Sequence, residues 1–266
     1  MATYETLETD NRDGIGIVWM NRPQVRNAFN DAMIAELTAA FRAMDADAAV
    51  RAVVLAARGP AFCAGADLNW MQKMAGYSLE QNREDAMGLA TMLHTLHALS
   101  KPTIARVHGH AFAGGMGLVA ACDIAIASFN VEFCLSEVKL GLIPATIGPY
   151  VVAAMGERAA RRYMLTAERF SAAEAYRVGL VQEIAPPEKL DEKLDDLLTQ
   201  LLLGGPAAHA SSKALLGTIA RGPLTEAMIA DTARRIAEVR ASAEGQEGIR
   251  AFLEKRRPAW LPGEAS

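Results

Sequence analysis

Three places in this sequence combine residue types and spacing that suit enzyme chemistry. Two are glycine turns, at residues 64–67 (AGAD) and at Gly114 and Gly115, and each follows an apolar stretch of strand character. The third is Glu137, an acidic residue in the mostly apolar run CLSEVKLGLIP. A helix that starts at a glycine turn has unpaired N–H groups and a partial positive charge at its first turn. Such a turn is suited to binding a negatively charged oxygen.

The two turns together predict a pair of backbone donors. Each follows a strand and precedes helical sequence, so the fold is able to bring them together, and Ala66 and Gly114 are the donors we predict. Two preorganised N–H groups stabilise the negative oxygen that forms when a thioester becomes an enolate. The alternative left open by the sequence is that these are two unrelated turns.

Glu137 is the predicted general acid and base. An ionised carboxylate in an apolar run is costly to bury unless it is hydrogen-bonded or used in function. Partial burial also raises a carboxyl pKa toward the range useful for proton transfer. The alternative is a surface strand in which Glu137 lies near Ser136 and Lys139.

Strand and helix signals alternate through the first two thirds of the chain. The sequence predicts strands at 15–20, 50–56 and 104–111. Asn30 is the predicted N-cap of a helix whose apolar face is formed by Met33, Ile34, Leu37, Ala40, Phe41 and Met44. Capping boxes are predicted at Ser78 with Gln81 and at Ser171 with Glu174.

The last part of the chain has helical signals without further strands. Helices are predicted at 188–203, 206–219, 224–242 and 246–256. The predicted class is therefore α/β, with a core domain over residues 1–186 and a helical C-terminal region over 187–266.

Composition excludes several function classes. The net charge is −4 and Lys and Arg form no block, which argues against nucleic-acid binding. The acidic, polar start MATYETLETD predicts no secretory signal, and no apolar run has the length of a membrane span. Three cysteines without CxxC spacing predict neither a disulfide framework nor a metal site. We expect a cytoplasmic globular protein.

Other reactive side chains are interpreted as structural. Cys63 has no base paired with it in the sequence, and we predict a small buried residue rather than a nucleophile. His94 and His97 share a predicted helix face but lack a third ligand, so no metal site is predicted. For His110, backbone hydrogen bonding is favoured over an approach to the site.

Longer motifs resemble the crotonase superfamily, the enoyl-CoA hydratase/isomerase family. They are FCAGADL (62–68), HGHAFAGGMGL (108–118), CDIAIAS (122–128), LSEVKLGLIP (135–144), LTAERFSAAEAYRVGLV (165–181) and AFLEKRRPAW (251–260). The resemblance covers residues 5–260 in order. It implies a spiral of ββα units with a helical C-terminal region, assembled as a homotrimer or homohexamer. It also implies an acyl-CoA thioester substrate and no cofactor beyond the coenzyme A of that substrate.

The resemblance also implies roles for individual residues. The N–H groups of Ala66 and Gly114 match the family's oxyanion hole, and Glu137 matches a catalytic glutamate. The coenzyme A contacts carried over to this chain are Arg26, Ala64, Asp67, Leu68, Phe252 and Lys255. Phe252 and Lys255 match a C-terminal pair that closes over coenzyme A, in some members from the neighbouring subunit.

One departure from the family pattern affects the predicted reaction. Typical hydratases carry a second glutamate in a GGGxE pattern, where this chain has Gly117. A single glutamate is similar to the arrangement in Δ3,Δ2-enoyl-CoA isomerases. The whole pattern, however, is most similar to bacterial methylglutaconyl-CoA hydratase-like members, which act in leucine degradation. We therefore expect hydration of a branched or carboxylated enoyl-CoA, such as 3-methylglutaconyl-CoA, with isomerisation as the alternative and non-catalytic coenzyme A or RNA binding as a third interpretation.

Overall fold

A computed structural model describes residues 3–220 and 222–261. The strands are β1 (Leu7–Arg12), β2 (Ile15–Met20), β3 (Ala52–Ala57), β4 (Thr103–Val107), β5 (Ala111–Phe112), β6 (Ile124–Ser128), β7 (Glu132–Cys134), β8 (Phe170–Ser171) and β9 (Glu183–Ala185). The helices are α1 (Asp31–Ala46), α2 (Leu68–Met74), α3 (Leu79–His97), α4 (Gly114–Ala121), α5 (Gly148–Thr166), α6 (Ala172–Arg177), α7 (Leu190–Leu203), α8 (Pro206–Ile219), α9 (Glu226–Ala241) and α10 (Ala243–Leu253).

The strands form two sheets. The larger has the order β1-β2-β3-β4-β6-β9, in which the β1–β2 pair is antiparallel and every other pair is parallel. The smaller has the order β5-β7-β8. Two successive units, β4-β5-α4 and β6-β7-α5, each place one strand in each sheet before a helix. This repetition agrees with the predicted ββα spiral.

Helix α1 shows how the sequence pattern determines the packing. Asn30 adopts extended backbone angles, and its side chain accepts a hydrogen bond from the N–H of Met33, which caps the helix. The predicted apolar face is the set of buried residues of α1, and the helix packs on α3. The Ser78–Gln81 capping box of α3 is also confirmed, with both of its hydrogen bonds present.

Two local predictions require correction. The strand predicted over 104–111 is divided, because the chain leaves β4 at His108 and joins the smaller sheet at Ala111. At the second predicted capping box only half is formed. The Ser171 hydroxyl accepts from the N–H of Glu174, whereas the Glu174 carboxylate binds the Tyr163 hydroxyl and Arg177.

The chain divides into two compact units. The first comprises residues 3–99 and Thr103–Asp196, and the second comprises Ser100–Pro102 with 197–220 and 222–261. The predicted boundary at 186/187 precedes this division, because the first part of α7 belongs to the first unit. Residues 1, 2, 221 and 262–266 of the predicted domains lie outside the described residues.

Within the second unit, side-chain contacts join the helices. The Glu244 carboxylate of α10 accepts hydrogen bonds from the N–H groups of Ala207 and Ala208 in the first turn of α8. The indole N–H of Trp260 donates to the carbonyl of Leu203. Among the described residues, none of the helices combines the length and the apolar character needed to cross a membrane.

Candidate active site

Parallel pairing aligns three chain segments side by side. Cys63 forms a parallel bridge with Ala111, and Ala111 pairs in parallel with Phe133 of β7. Neighbouring strands lie about 4.8 Å apart. Residues that follow Cys63, Ala111 and Phe133 by a similar number of positions are therefore brought together at one edge of the small sheet.

The three predicted catalytic residues follow at that spacing. Ala66 lies beyond Cys63, Gly114 lies at the same distance along the chain beyond Ala111, and Glu137 lies one position further beyond Phe133. The structure therefore brings both predicted donors and the predicted base to the same edge.

The Ala66 N–H points away from the neighbouring Phe29 segment. Phe29 donates its N–H to the carbonyl of Gly65 at 2.7 Å and accepts from the N–H of Asp67 at 2.8 Å. In a trans peptide the C=O and N–H point in opposite directions, so the N–H of Ala66 points away from Phe29. In residues 3–220 and 222–261 it has no hydrogen-bond acceptor.

The Gly114 N–H points out of the N-terminus of α4. The carbonyl of Ala113 accepts from the N–H groups of Met116 and Gly117, at 2.9 and 3.2 Å. Because that carbonyl points into the helix, the N–H of Gly114 in the same peptide points outward. No acceptor among the described residues takes this N–H either, and the helix dipole adds partial positive charge there.

The two turns contact each other directly. A Cβ atom on Gly65 would lie 3.1 Å from the Cβ of Ala113, and one on Gly114 would lie 2.6 Å from the ring of Phe29. Gly65 and Gly114 therefore permit an approach that larger residues would obstruct. These contacts show that the two turns are neighbours in the fold, and the role of their N–H groups stays a prediction.

Ala113 adopts a backbone conformation that is rare for a residue with a side chain, with φ 47° and ψ −119°. Conformations of this kind cost about 1–3 kcal/mol and concentrate at functional sites. The backbone strain occurs at the peptide that directs the Gly114 N–H outward. The N–H of Ala113 donates to the carbonyl of Cys134 at 2.8 Å, which holds this turn against the segment that leads to Glu137.

Glu137 begins a short 3₁₀ helix, Glu137–Leu140, rather than lying on a surface strand. The turn is closed by Gly141 at φ 72°, and Lys139 anchors it by donating to the carbonyl of Ala167 at 2.6 Å. The Oε2 atom of Glu137 is buried and has no hydrogen-bond partner in the part of the chain that the structure describes. Burial raises the pKa of Glu137 above its ordinary value, and only its own backbone N–H opposes that shift.

The residue at the expected position of a second glutamate is enclosed. Gly117 lies within α4 and is buried, and a Cβ atom added there would lie 2.1 Å from Cγ2 and 2.7 Å from Cβ of Ile147. Ile147, itself buried, precedes α5. The side chain of Ile147 therefore occupies the space into which a carboxylate at position 117 would extend.

Comparisons with known proteins identify the family of this chain. The sequence profile of the family described as "Enoyl-CoA hydratase/isomerase" matches residues 10–262. The chain belongs to the enoyl-CoA hydratase/isomerase family. This confirms the predicted crotonase superfamily and the prediction of an enzyme of the enoyl-CoA hydratase type.

Individual relatives extend the similarity over nearly the whole chain. An enoyl-CoA hydratase from Shewanella pealeana is 43% identical, with a TM-score of 0.94 and 96% of each chain covered. Pseudomonas aeruginosa AtuE is 39% identical, with a TM-score of 0.93, and the similarity covers 97% of this chain and all of that one (100%). A crotonyl-CoA hydratase from Syntrophomonas wolfei is 31% identical over 260 residues, which cover 97% of this chain and 98% of the relative. The crotonase-like fold class is thus confirmed.

Four of the six coenzyme A contacts that the family implies lie in or near the first glycine turn, and these are Arg26, Ala64, Asp67 and Leu68. Arg26 has an exposed side chain, and its carbonyl accepts from the N–H of Ala64 at 3.0 Å. Leu68, the first residue of α2, is 76% exposed. Asp67 differs, because its side chain is 5% exposed and paired with Arg22, and its backbone N–H and carbonyl are bonded to Phe29 and Met71. The coenzyme A roles themselves stay predictions.

The remaining two predicted contacts lie in the second compact unit. Phe252 is 83% exposed near the end of α10, and Lys255 follows that helix with φ 54°. Their predicted role in closing over coenzyme A also stays a prediction.

The structure also places the other reactive side chains that the sequence singled out. Burial raises the pKa of the Cys63 thiol to about 12, which leaves no thiolate near neutral pH. The Nδ1 atom of His110 accepts the N–H of Glu132 at 2.9 Å. His94 and His97 belong to no metal-binding group, since the described residues contain no such cluster of His, Cys, Asp or Glu.

Sequence reasoning missed Phe29, Arg22 and Ile147. Each acts through contact with residues distant in the chain, and none stands out by residue type. The only local signal was that Arg22 and Phe29 lie in NRPQVRNAF, a turn-rich stretch between predicted elements.

We predict that Glu137→Gln raises the melting temperature at pH 7. When burial raises the pKa of a glutamate in the folded state, the free energy of unfolding of the protein falls as pH rises above the unfolded-state pKa of about 4.3. The gain from the substitution should therefore disappear at about pH 3, where Glu137 is protonated in both the folded and the unfolded wild type. Thermal unfolding of the two proteins at both pH values measures this, and a lower melting temperature of the variant at pH 7 would show that the carboxylate has a stabilising partner.

We also predict that Gly117→Glu destabilises the fold by about 1–3 kcal/mol through overpacking against Ile147. Adding Ile147→Ala should restore part of that loss by opening the space. Gly88→Glu is the matched control, because Gly88 lies on the exposed face of α3 with its nearest outside atom 3.9 Å from an added Cβ. Urea unfolding compares the variants, and wild-type stability of the single Gly117→Glu variant is the contradicting result.

Proposed function

We propose that the protein hydrates an α,β-unsaturated acyl-CoA through an enolate held by the N–H groups of Ala66 and Gly114. The main observation that supports this proposal is that the two unpaired donors lie with a buried carboxylate at one edge of the small sheet. Membership of the family supports an acyl-CoA thioester as the substrate.

In the proposed reaction, water adds across the double bond. The oxygen of water forms a bond to the β-carbon, and the π electrons move onto the thioester oxygen, where the two donors stabilise the charge. The α-carbon then takes a proton and the thioester carbonyl reforms. Glu137 takes a proton from the water and delivers one to the α-carbon, so the carboxylate is regenerated in each cycle. This sequence requires no cofactor beyond the coenzyme A of the substrate.

The raised pKa of Glu137 suits both halves of this proton transfer. A carboxylate that is poorly solvated is a stronger base toward water, and its conjugate acid holds a proton for the carbon at higher pH than an exposed glutamate does. A single group that accepts and returns the proton needs this intermediate acidity.

The enclosed Gly117 favours a substrate that brings its own carboxylate. With Ile147 in the space of a second glutamate, the protein lacks the group that would otherwise order the water. We propose that the distal carboxylate of a branched substrate such as 3-methylglutaconyl-CoA orders it, which would place the enzyme in leucine degradation. The same observation supports the second candidate, isomerisation of a 3-enoyl-CoA, in which one base moves one proton.

Further features support the remaining parts of the proposal. The exposed Arg26 beside Ala64 suits the phosphates of coenzyme A, and the exposed Leu68 suits its pantetheine arm. For assembly, we propose a homotrimer or homohexamer, supported by the exposed apolar side chains Leu216, Ile229, Ile236, Ile249 and Phe252. Light scattering of the purified protein distinguishes these from a monomer. The cytoplasmic location and the absence of a nucleic-acid partner stay predictions.

We predict that 3-methylglutaconyl-CoA gains one water, whereas 3-methylcrotonyl-CoA reacts about 100-fold more slowly in kcat/KM. The two thioesters share the methyl branch and differ in the carboxylate, and loss of correct positioning of a reactant, here the water, can cost about 10²-fold. Loss of enoyl-thioester absorbance with mass detection of the product measures both rates, and Glu137→Gln is the control that should abolish them.

Three other outcomes would change the proposal. Equal rates on both thioesters would exclude a role for the substrate carboxylate. A double-bond shift in a 3-enoyl-CoA without a change in mass, and no hydration, would establish the isomerase. Binding of coenzyme A without either reaction would indicate the non-catalytic interpretation.

A further inference from the structure

A nearly buried ion pair lies directly behind the first donor. The Nη2 atom of Arg22 donates to Oδ2 of Asp67 at 2.9 Å, and the two side chains are 15% and 5% exposed. Burial alone would raise the pKa of Asp67, but hydrogen bonds from Arg22, Asn69 and Trp70 outweigh it and hold that pKa below its ordinary value. Asp67 is therefore a carboxylate at neutral pH.

Asp67 uses its polar atoms within the protein. Its Oδ1 atom accepts from the N–H groups of Asn69 and Trp70, which caps α2, and its Oδ2 atom binds Arg22. Its own N–H donates to the carbonyl of Phe29. An asparagine at this position would have only one side-chain oxygen, which could not both cap α2 and accept from Arg22.

Arg22 connects both chain segments that hold Ala66. Besides binding Asp67, its Nη1 atom donates to the carbonyl of Ala28 at 2.5 Å. Ala28 precedes Phe29, and Asp67 follows Ala66, so one planar guanidinium fixes the residues on either side of the Phe29–Ala66 bridge. The direction of the Ala66 N–H depends on that bridge.

The geometry points to Arg22 and Asp67 as positioning residues that aim the Ala66 N–H at the thioester oxygen. This inference rests on the proposed function in one respect, that the Ala66 N–H stabilises an enolate. It assigns to Asp67 a role behind the donor, in place of a side-chain contact with coenzyme A. Because Arg22 and Asp67 act through Ala66, their loss should slow enolate formation without weakening binding of the thioester.

Exchange of α-hydrogens tests this without depending on hydration. Butyryl-CoA in D₂O exchanges its α-hydrogens through the enolate, and mass spectrometry follows the exchange. The variants are Asp67→Asn, Arg22→Gln and their double, with Arg22→Lys as the conservative form that keeps the charge. Asp191→Asn is the matched control, because it makes the same chemical change at a carboxylate bound to Arg106 in the same compact unit.

We predict that Asp67→Asn and Arg22→Gln each lower the exchange rate constant at saturating butyryl-CoA by at least about tenfold, since loss of a whole donor costs about 10²–10³-fold. KM should stay within about twofold, and the double variant should be no slower than the slower single one, because both act on one contact. Arg22→Lys should recover part of the rate. Asp191→Asn should exchange at the wild-type rate, and its melting temperature gives the scale for loss of an ion pair.

Two results from the variants would overturn the inference. One is exchange in Asp67→Asn as fast as in Asp191→Asn. The other is a raised KM with an unchanged rate constant, which would assign Asp67 to thioester binding. Wild-type exchange without hydration of any enoyl-CoA would overturn the proposed function and leave the inference to be decided by the variant rates. A wild type that hydrates an enoyl-CoA but does not exchange the α-hydrogens of butyryl-CoA would leave the proposed function intact and would contradict the enolate step on which the inference rests.

Discussion

The candidate active site depends on the parallel pairing of three segments at Cys63, Ala111 and Phe133. This pairing determines the register, and the register determines which residues reach the edge of the small sheet together. A shift of one residue would turn each peptide to the opposite side. The donors at Ala66 and Gly114 would then point away from the position that Glu137 reaches. Backbone hydrogen bonds therefore set the geometry of the proposed chemistry, and the side chains of Arg22 and Asp67 hold the pairing at Ala66 in place.

Backbone strain and unsatisfied polar groups are both present where this register ends. Ala113 has a positive φ, two N–H groups lack acceptors in the described part of the chain, and an oxygen of Glu137 is buried without a partner. Each of these features opposes folding, and each is what binding an anion and moving a proton require. The packed helices and the Arg22–Asp67 ion pair supply the surrounding stability.

The sequence was sufficient for features that are local or periodic. The apolar face of α1 and the box at Ser78 could be predicted because repeat and cap signals lie within a few residues of each other. The division between β4 and β5 could not, because His110 leaves the large sheet to accept hydrogen bonds from Phe62 and Cys63, which are distant in the chain. The family motif shows that Gly117 stands where a glutamate is typical. The Ile147 side chain that fills this space could not be predicted, because Ile147 is distant from Gly117 in the chain.

If two backbone N–H groups bind the thioester oxygen, they change the vibrational frequency of its carbonyl, which infrared spectroscopy measures. Isotope-edited infrared difference spectra of bound enoyl-CoA, with ¹³C at the thioester carbon, report the strength of hydrogen bonding to the oxygen. We expect a carbonyl stretch at lower frequency in the complex than in water, because two preorganised donors polarise the bond more than solvent does. A frequency equal to or above that in water would contradict it.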